Sequence, residues 1–374
     1  MRIIKAEVFG LLNRYERVNL EFYDDLNIIT GRNGAGKTSL LKLLWYVISG
    51  NILLALKEVP FKKLMVETDL YTCIIVRTGI AHCKIEFRKD EALYLFEDDE
   101  ELDDDFEITS AEDKVAKLLI NSGSSVFFPT FRRIEGGFSI EKNRPSNSLR
   151  SIGKAKSDIE EALLGLSRRL TNDAHVFVSS ISTVDIASLL MRNHADFSEI
   201  YNEIQQKTSQ EIITTIKEFK RDVNDVDLKN ATDLLDDIRS RIESMENERE
   251  NIMRPFDTVK LVVEELFKNT GIKIGSRFNF GDAANSVNSD ELSAGEKQML
   301  SFICYNAFYQ NSIILIDEPE LSLHVDWQRQ IFSVLQKQQT TNQFIIATHS
   351  PFIYSKYPDK ELAIDLDRGN GEDL

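Results

Sequence analysis

Three short runs of apolar and β-branched residues open the chain, Ile3–Phe9, Val18–Phe22 and Leu26–Thr30, and each has the length and composition of a β-strand. The pattern then changes period. Leu40, Leu41, Leu43, Leu44, Val47 and Ile48 recur at helical spacing until Gly50 stops the run. Further strand-like runs at Tyr71–Arg77, Ala81–Phe87 and Ala92–Phe96 predict antiparallel strands that extend the N-terminal sheet, with Thr78-Gly79 as the first turn. Strand patterns recur at Ser125–Phe128, Arg277–Phe280, Ile313–Ile316 and Phe344–Ala347. From about Ser157 to Asn269 the pattern is helical, with Ile200, Ile204, Ile212, Ile216, Phe219 and Val223 at intervals of three and four or their multiples. That segment reads as a helical hairpin or a compact helical lobe, its heptads too irregular and too short for a long coiled coil. The order of elements predicts one α/β domain in two halves, residues 1–145 and 270–374, bracketing a helical insertion at 146–269.

Composition narrows the function classes. With 42% apolar and 28% charged residues, the 374-residue chain is globular and can bury a large core. Its 61 acidic against 45 basic residues give a net charge of −16, which argues against non-specific coating of nucleic acid. A phosphate backbone would have to find a local patch, for which Arg132, Arg133 and the basic stretch 142–156, a linker or clamp, are the candidates. The acidic run from Glu97 to Glu107 reads as a solvated loop. Cys73, Cys83 and Cys304 lack any C-x-x-C spacing and sit among apolar neighbours, as reduced core thiols do. No run is long and apolar enough to span a bilayer, and the charged, alternating N-terminus is no signal peptide. These features predict a soluble, cytoplasmic protein with no membrane partner.

The chemistry lies where strands end. Gly31-Arg32-Asn33-Gly34-Ala35-Gly36-Lys37-Thr38 fits the phosphate-loop pattern G-x-x-x-x-G-K-[ST] between a strand and a helix. Glycines let the backbone N–H groups wrap phosphates, and the helix N-terminus adds its positive end. Arg32, Asn33, Gly34, Ala35, Gly36, Lys37, Thr38 and Ser39 are thus the expected ATP cradle, with Lys37 reaching the β/γ-phosphates and the Thr38 hydroxyl ligating Mg²⁺. The continuous apolar run Ile313–Ile316 ends in Asp317-Glu318-Pro319, as a central parallel strand delivering carboxylates to a nucleotide would. Asp317 is expected in the Mg²⁺ shell, and Glu318 is expected to orient and deprotonate the attacking water.

Between these motifs, Leu292-Ser293-Ala294-Gly295-Glu296-Lys297-Gln298 closely resembles the signature sequence of ATP-binding-cassette (ABC) ATPases, and Ala347-Thr348-His349-Ser350-Pro351 resembles their switch-histidine segment. The order of all four motifs is the family's order. The resemblance implies an ABC ATPase head: a parallel core sheet carrying the phosphate loop, an N-terminal antiparallel sheet and an inserted α-helical region. It further implies that Ser293, Gly295 and Glu296 cap the nucleotide of a second protomer, that His349 contacts the γ-phosphate, and that ATP holds together a head-to-tail homodimer or a higher homo-oligomer. The 256 residues separating Lys37 from Ser293 exceed the transporter spacing. That spacing, the Leu26–Gly31 phrase and Asp317-Glu318-Pro319-Glu320-Leu321-Ser322-Leu323-His324 resemble the SMC and RecF-like branch, most closely the OLD and Septu PtuA type of anti-phage defence ATPase.

Two departures qualify the resemblance. No glutamine precedes Gln205, so the family's Mg²⁺-sensing Q-loop residue is missing, and Pro129-Thr130-Phe131-Arg132-Arg133-Ile134-Glu135 stands near its place. Arg14 and Tyr15 are weak candidates for an adenine platform. Only 25 residues follow His349, too few for the TOPRIM nuclease that OLD proteins carry there, and the five histidines show no metal-ligand spacing. The expected function is therefore a Mg²⁺-dependent ATPase that senses and regulates within a multi-component defence system, its effector a nuclease on a separate chain. A RecF-like DNA-repair ATPase, marked by ATP-dependent binding of DNA ends or gaps, is the alternative. An ATP-binding scaffold that sequesters a toxin, marked by absent turnover, is the third reading.

Overall fold

A helix that is apolar on every side has to be buried on every side, and the helix after the phosphate loop obeys this. In the computed structural model, which describes residues 1–98, 110–130, 133–134, 165–181, 183–221, 228–266 and 292–364, α1 (Lys37–Ile48) buries Leu40, Leu41, Leu43, Leu44, Trp45, Tyr46, Val47 and Ile48. Two sheets supply its surroundings. The first is antiparallel and joins β1 (Ile3–Phe9), β2 (Arg17–Glu21), β4 (Lys63–Thr68), β5 (Thr72–Arg77), β6 (Cys83–Lys89) and β7 (Ala92–Phe96) in the order β2-β1-β4-β5-β6-β7. The second is wholly parallel and joins β3 (Leu26–Thr30), β8 (Ser125–Phe128), β10 (His175–Phe177), β12 (Ile313–Asp317), β13 (Gln343–Ala347) and β14 (Glu361–Ala363) in the order β10-β8-β12-β13-β3-β14. β3, β8, β12 and β13 are buried at every residue, as strands covered on both faces require. β9 (Arg133–Ile134) and β11 (Ser180–Ile181) form a small parallel pair.

α2 (Ile52–Glu58) and α3 (Ala111–Ile120) pack beside α1, and Trp45 anchors the core, its ring 5.5 Å from Phe127 and 5.3 Å from Phe177. α6 (Ala294–Phe308), α7 (Val325–Gln336) and the short α8 (Pro351–Tyr354) complete this unit. The mixed α/β architecture, with a parallel sheet behind the glycine loop and an antiparallel sheet built from the N-terminal strands, is the one the sequence predicts. The strand joining those N-terminal strands to Tyr71–Phe96 is β4, which the pattern reading passes over. Cys73, Cys83 and Cys304 are buried, and burial pushes each thiol up to about 12. No described helix is long and apolar enough to cross a membrane.

Contacts divide the chain into Met1–Ser182 with Asp290–Leu374, and Thr183–Ser289. The first boundary lies well after residue 145 because His175–Phe177 adds an edge strand to the parallel sheet and Leu170 and Phe177 enter its core. The second unit holds α4 (Thr183–Arg221) and α5 (Leu228–Leu266), 39 residues each and so roughly 58 Å long. They pair antiparallel: Phe197 meets Phe256, Tyr201 lies under Arg249, and Glu211 bonds Arg241 at 3.1 Å. Along α4 the partly or fully buried positions Leu190, His194, Phe197, Tyr201, Ile204 and Thr208 alternate in steps of four and three, and α5 repeats this at Ala231, Leu234, Ile238, Arg241 and Met245. This is a heptad seam, so irregularity in the apolar pattern misjudges the pair. His194, Thr208 and Arg241 occupy seam positions, whereas Ile200, counted in the predicted apolar face, is 45% exposed. Val223 and the predicted strand Arg277–Phe280 lie outside the described residues.

His175 makes the first unit's stability sensitive to acid. It is wholly buried on β10, with Nδ1 2.8 Å from Ser125 Oγ, and burial pushes the ring down to about 4. The folded state therefore holds the ring neutral, while the unfolded chain takes up a proton below the ordinary histidine value. Stability from this group is full above about pH 6.5 and is lost as pH falls toward 4, by on the order of 3 kcal/mol. Denaturant melts at pH 7 and pH 4 should show His175→Gln losing less stability than the wild type over that interval. Parallel losses would exclude His175 as the source.

Candidate functional site

The phosphate-loop sequence turns through conformations that only glycine adopts cheaply. Gly31, Gly34 and Gly36 have φ of 150°, 80° and 94°. A Cβ on Gly31 would sit 2.4 Å from the Ile364 carbonyl oxygen, so no side chain is admissible there. Lys37, 5% exposed, folds its amine back into the loop: Nζ donates to the carbonyls of Gly31 at 2.9 Å and Arg32 at 3.3 Å and lies 2.8 Å from His349 Nε2. Burial lowers the Lys37 pKa, against the opposing pull of Glu318, Asp317 and Glu320. Arg14 joins the loop through a 2.9 Å bond from Nη2 to the Gly34 carbonyl. Tyr15 is 83% exposed, with Lys62 Nζ 5.0 Å from its ring centroid.

Parallel pairing of β3 with β13 and of β13 with β12 brings three strand ends, and the residues after them, to one edge of the sheet. Asp317, fully buried, accepts a bond from the Thr38 hydroxyl at 3.2 Å on Oδ1 and one from the Thr130 hydroxyl on Oδ2. Glu318 follows with a φ of 47°, an uncommon conformation for a side-chain-bearing residue, its N–H donating to the Ala347 carbonyl at 2.8 Å. Its Oε1 lies 3.9 Å from His349 Nε2. Burial first, then the charges of Asp317 and Glu320, raise the Glu318 pKa, while His349 and Lys37 pull it down. A carboxyl raised by burial beside a second, buried carboxyl is the environment of a general base.

Lys37, Thr38, Asp317, Glu318 and His349 are thus brought together from three segments of the chain. Ser293, Gly295 and Glu296 make their described contacts elsewhere. The exposed Ser293 caps α6 in a reciprocal capping box: its Oγ accepts the Glu296 N–H at 3.3 Å and its own N–H donates to Glu296 Oε2 at 2.7 Å. Gly295 is buried where a Cβ would come 2.5 Å from the Ser322 carbonyl oxygen, and Gln298 Nε2 donates to the Pro319 carbonyl at 2.9 Å. The signature segment therefore packs on the loop after the acidic strand of its own chain.

Three polar residues at the site escape sequence reasoning: Thr130 at the end of β8, Glu320 and Gln328. Each works through hydrogen bonds to residues distant in sequence, and Thr130 alone carries a prior signal, its place beside the absent Q-loop glutamine. Arg132 and the 142–156 stretch lie outside the described residues, as does most of the acidic run 97–107. Arg133 is described only as backbone in β9.

The arrangement suits a nucleotide triphosphate and a hard divalent cation. No side chain caps α1, whose N-cap is Gly36, so the first-turn N–H groups keep their capacity for an anion. A hydroxyl and a carboxylate oxygen 3.2 Å apart on Thr38 and Asp317 form an oxygen donor pair of the kind Mg²⁺ takes. Among the described residues, no group of three or more His, Cys, Asp or Glu side chains is arranged to hold a metal on its own.

The family model described as AAA ATPase domain matches residues 12–354. Among curated proteins, the chain is 38% identical over 74 residues to a retron Ec83 probable ATPase of Escherichia coli, covering 16% of this chain and 14% of that protein. It is 28% identical over 148 residues to the Septu protein PtuA of Bacillus mycoides, covering 36% and 20%, and 40% identical over 63 residues to endonuclease GajA of Bacillus cereus, covering 15% and 11%. The matched segments span at most a fifth of these relatives' length.

Proposed function

Because the chain belongs to the AAA ATPase domain family, we propose that it is a Mg²⁺-dependent ATP hydrolase that works as a head-to-tail dimer and regulates a separate effector, a nuclease, in anti-phage defence. The observation that carries the hydrolase reading is the convergence of Lys37, Thr38, Asp317, Glu318 and His349 on one sheet edge. In this reading the loop backbone and Lys37 bind the phosphates, and His349, 2.8 Å from Lys37 Nζ, meets the terminal one. Thr38 and Asp317 would hold Mg²⁺, which supplies charge neutralisation at the β/γ-phosphates when bound. Thr130 fixes the Asp317 carboxylate from the strand end where a glutamine is missing. Glu318 takes the proton of the attacking water. The defence reading rests on likeness to the Septu and retron proteins, and the effector reading on likeness to that type together with the name of endonuclease GajA.

The dimer reading rests on the signature segment. Ser293 is exposed at a helix N-terminus whose capping box takes up the Ser293 and Glu296 N–H groups, so in a head-to-tail pair the Ser293 hydroxyl and the Ala294 and Gly295 N–H groups would be the donors offered to the partner's nucleotide. Ser293→Arg should bind ATP at its own loop with wild-type affinity and lose about 100-fold in phosphate release, the usual cost of a lost anion-stabilising group. Light scattering should show ATP-bound Glu318→Gln protein as at least a dimer and the Ser293→Arg/Glu318→Gln protein as a monomer. Wild-type turnover in Ser293→Arg would sink the shared site. Pull-down of the tagged chain from its native host tests the effector: recovery of a nuclease supports that reading, and recovery of DNA ends without one favours repair.

A further inference from the structure

We propose that Glu320 is a positioning residue for His349, tying the loop after the acidic strand to the segment that meets the terminal phosphate. Both carboxylate oxygens are engaged, by consecutive residues of that segment. Oε1 accepts the His349 N–H at 2.7 Å, and Oε2 accepts the Thr348 hydroxyl at 2.8 Å. The Thr348 hydroxyl in turn accepts the Ser350 N–H at 2.9 Å, so one side chain fixes three residues of backbone. Thr348 is wholly buried and its N–H reaches the Ile29 carbonyl on β3, which leaves His349 as the point where the chain departs from the sheet.

A second bridge repeats the connection. Gln328 on α7 donates through Nε2 to the Leu323 carbonyl at 2.8 Å and accepts the Ser350 hydroxyl at 2.7 Å on Oε1. The loop 318–323 and the segment 348–350 are therefore stapled at two points, and the same loop presents the Ser322 carbonyl to Gly295. Hydrogen bonds to a carboxylate are about twice as strong as neutral ones and are directional. With both oxygens occupied by protein donors, Glu320 is suited to hold His349 in place and not to act as a second base. Its position links both readouts, since it lies two residues before Ser322, whose carbonyl faces Gly295, and is hydrogen-bonded to the switch histidine.

This inference rests on the reading that His349 meets the terminal phosphate, and the test separates the two. In the full chain carrying Glu318→Gln, which suppresses turnover, equilibrium affinities for Mg²⁺-ATP and Mg²⁺-ADP would be measured alone and with His349→Ala, Glu320→Ala, Glu320→Gln, and His349→Ala/Glu320→Ala. His349→Ala should narrow the preference for ATP over ADP by about tenfold, the scale of one charge-assisted hydrogen bond. Glu320→Ala should narrow it equally with ADP affinity unchanged, the double variant should go no further, and Glu320→Gln, able to accept from one donor, should lie between. Full effect in His349→Ala with none in Glu320→Ala overturns the positioning role alone. Equal weakening of ATP and ADP by both Glu320 variants, or additivity with His349→Ala, reduces Glu320 to loop stability and also overturns it. An unchanged preference in His349→Ala overturns the reading beneath, and the inference with it.

Discussion

Glu318→Gln should bind ATP with near wild-type affinity and release phosphate about 100- to 10,000-fold more slowly, the range spanned by loss of a general base. The amide matches the carboxylate in size, so it can keep the left-handed backbone at Glu318 and the 2.8 Å bond from its N–H to Ala347. What it cannot do is take a proton. In the proposed mechanism the carboxyl it replaces performs that step, and its surroundings suit it: burial and the neighbouring charges of Asp317 and Glu320 favour its protonated form, while His349 and Lys37 hold it back. Single-turnover phosphate release and filter binding on the same preparation separate the two effects. Turnover within tenfold of wild type would remove Glu318 from the base role and direct attention to a water held by other groups.

Lys37→Ala should lose ATP affinity by about 100-fold, because removing a hydrogen-bonded charge from a buried site costs about 2–5 kcal/mol. Its amine is desolvated, and it accounts for the Gly31 and Arg32 carbonyls that point into the loop. Truncation removes the cation that would meet the phosphates and leaves those two carbonyls turned toward a space with no donor. Lys37→Arg should also fail, since a planar guanidinium cannot replace a compact ammonium between two carbonyls and an imidazole. Isothermal titration with ATP checks both, and far-ultraviolet dichroism confirms that α1 persists. Affinity retained in Lys37→Ala would place the phosphates elsewhere.

The parts most legible in the sequence are those where a physical constraint is local. β3, the glycine loop and α1 follow one another without interruption, and β12 and β13 are built on the continuous apolar runs Ile313–Ile316 and Phe344–Ala347 because both faces are covered. β4 is less legible because its alternating positions include Met65 and Glu67, only half buried, and nothing in the six residues says that they bridge β1 to β5. Thr130, Glu320 and Gln328 are illegible for a different reason. A threonine, a glutamate and a glutamine in loops or on a helix face acquire their meaning from partners 187, 28 and 22 residues away. The hairpin seam is obscured by chemistry: His194, Thr208 and Arg241 hold positions that a count of apolar residues assigns to solvent, and Ile200 does the reverse.

The neighbours of β3 set a timetable for the protein's synthesis. The strand that launches the phosphate loop is hydrogen-bonded on one side to β13, Leu26 against Phe344, and on the other to β14, Ile28 against Glu361. At about 5–20 residues per second, a ribosome needs on the order of half a minute to supply those partners. Until β12 and β13 are made, the nascent chain has its glycine loop without the parallel strands that flank it in the folded protein and without Asp317, Glu318 and His349. Such long-range pairing slows folding, and it also means that no translation fragment ending before β12 carries both halves of the site. A chain interrupted before β12 therefore keeps the glycine loop and lacks the acidic strand end and the histidine that face it in the folded protein.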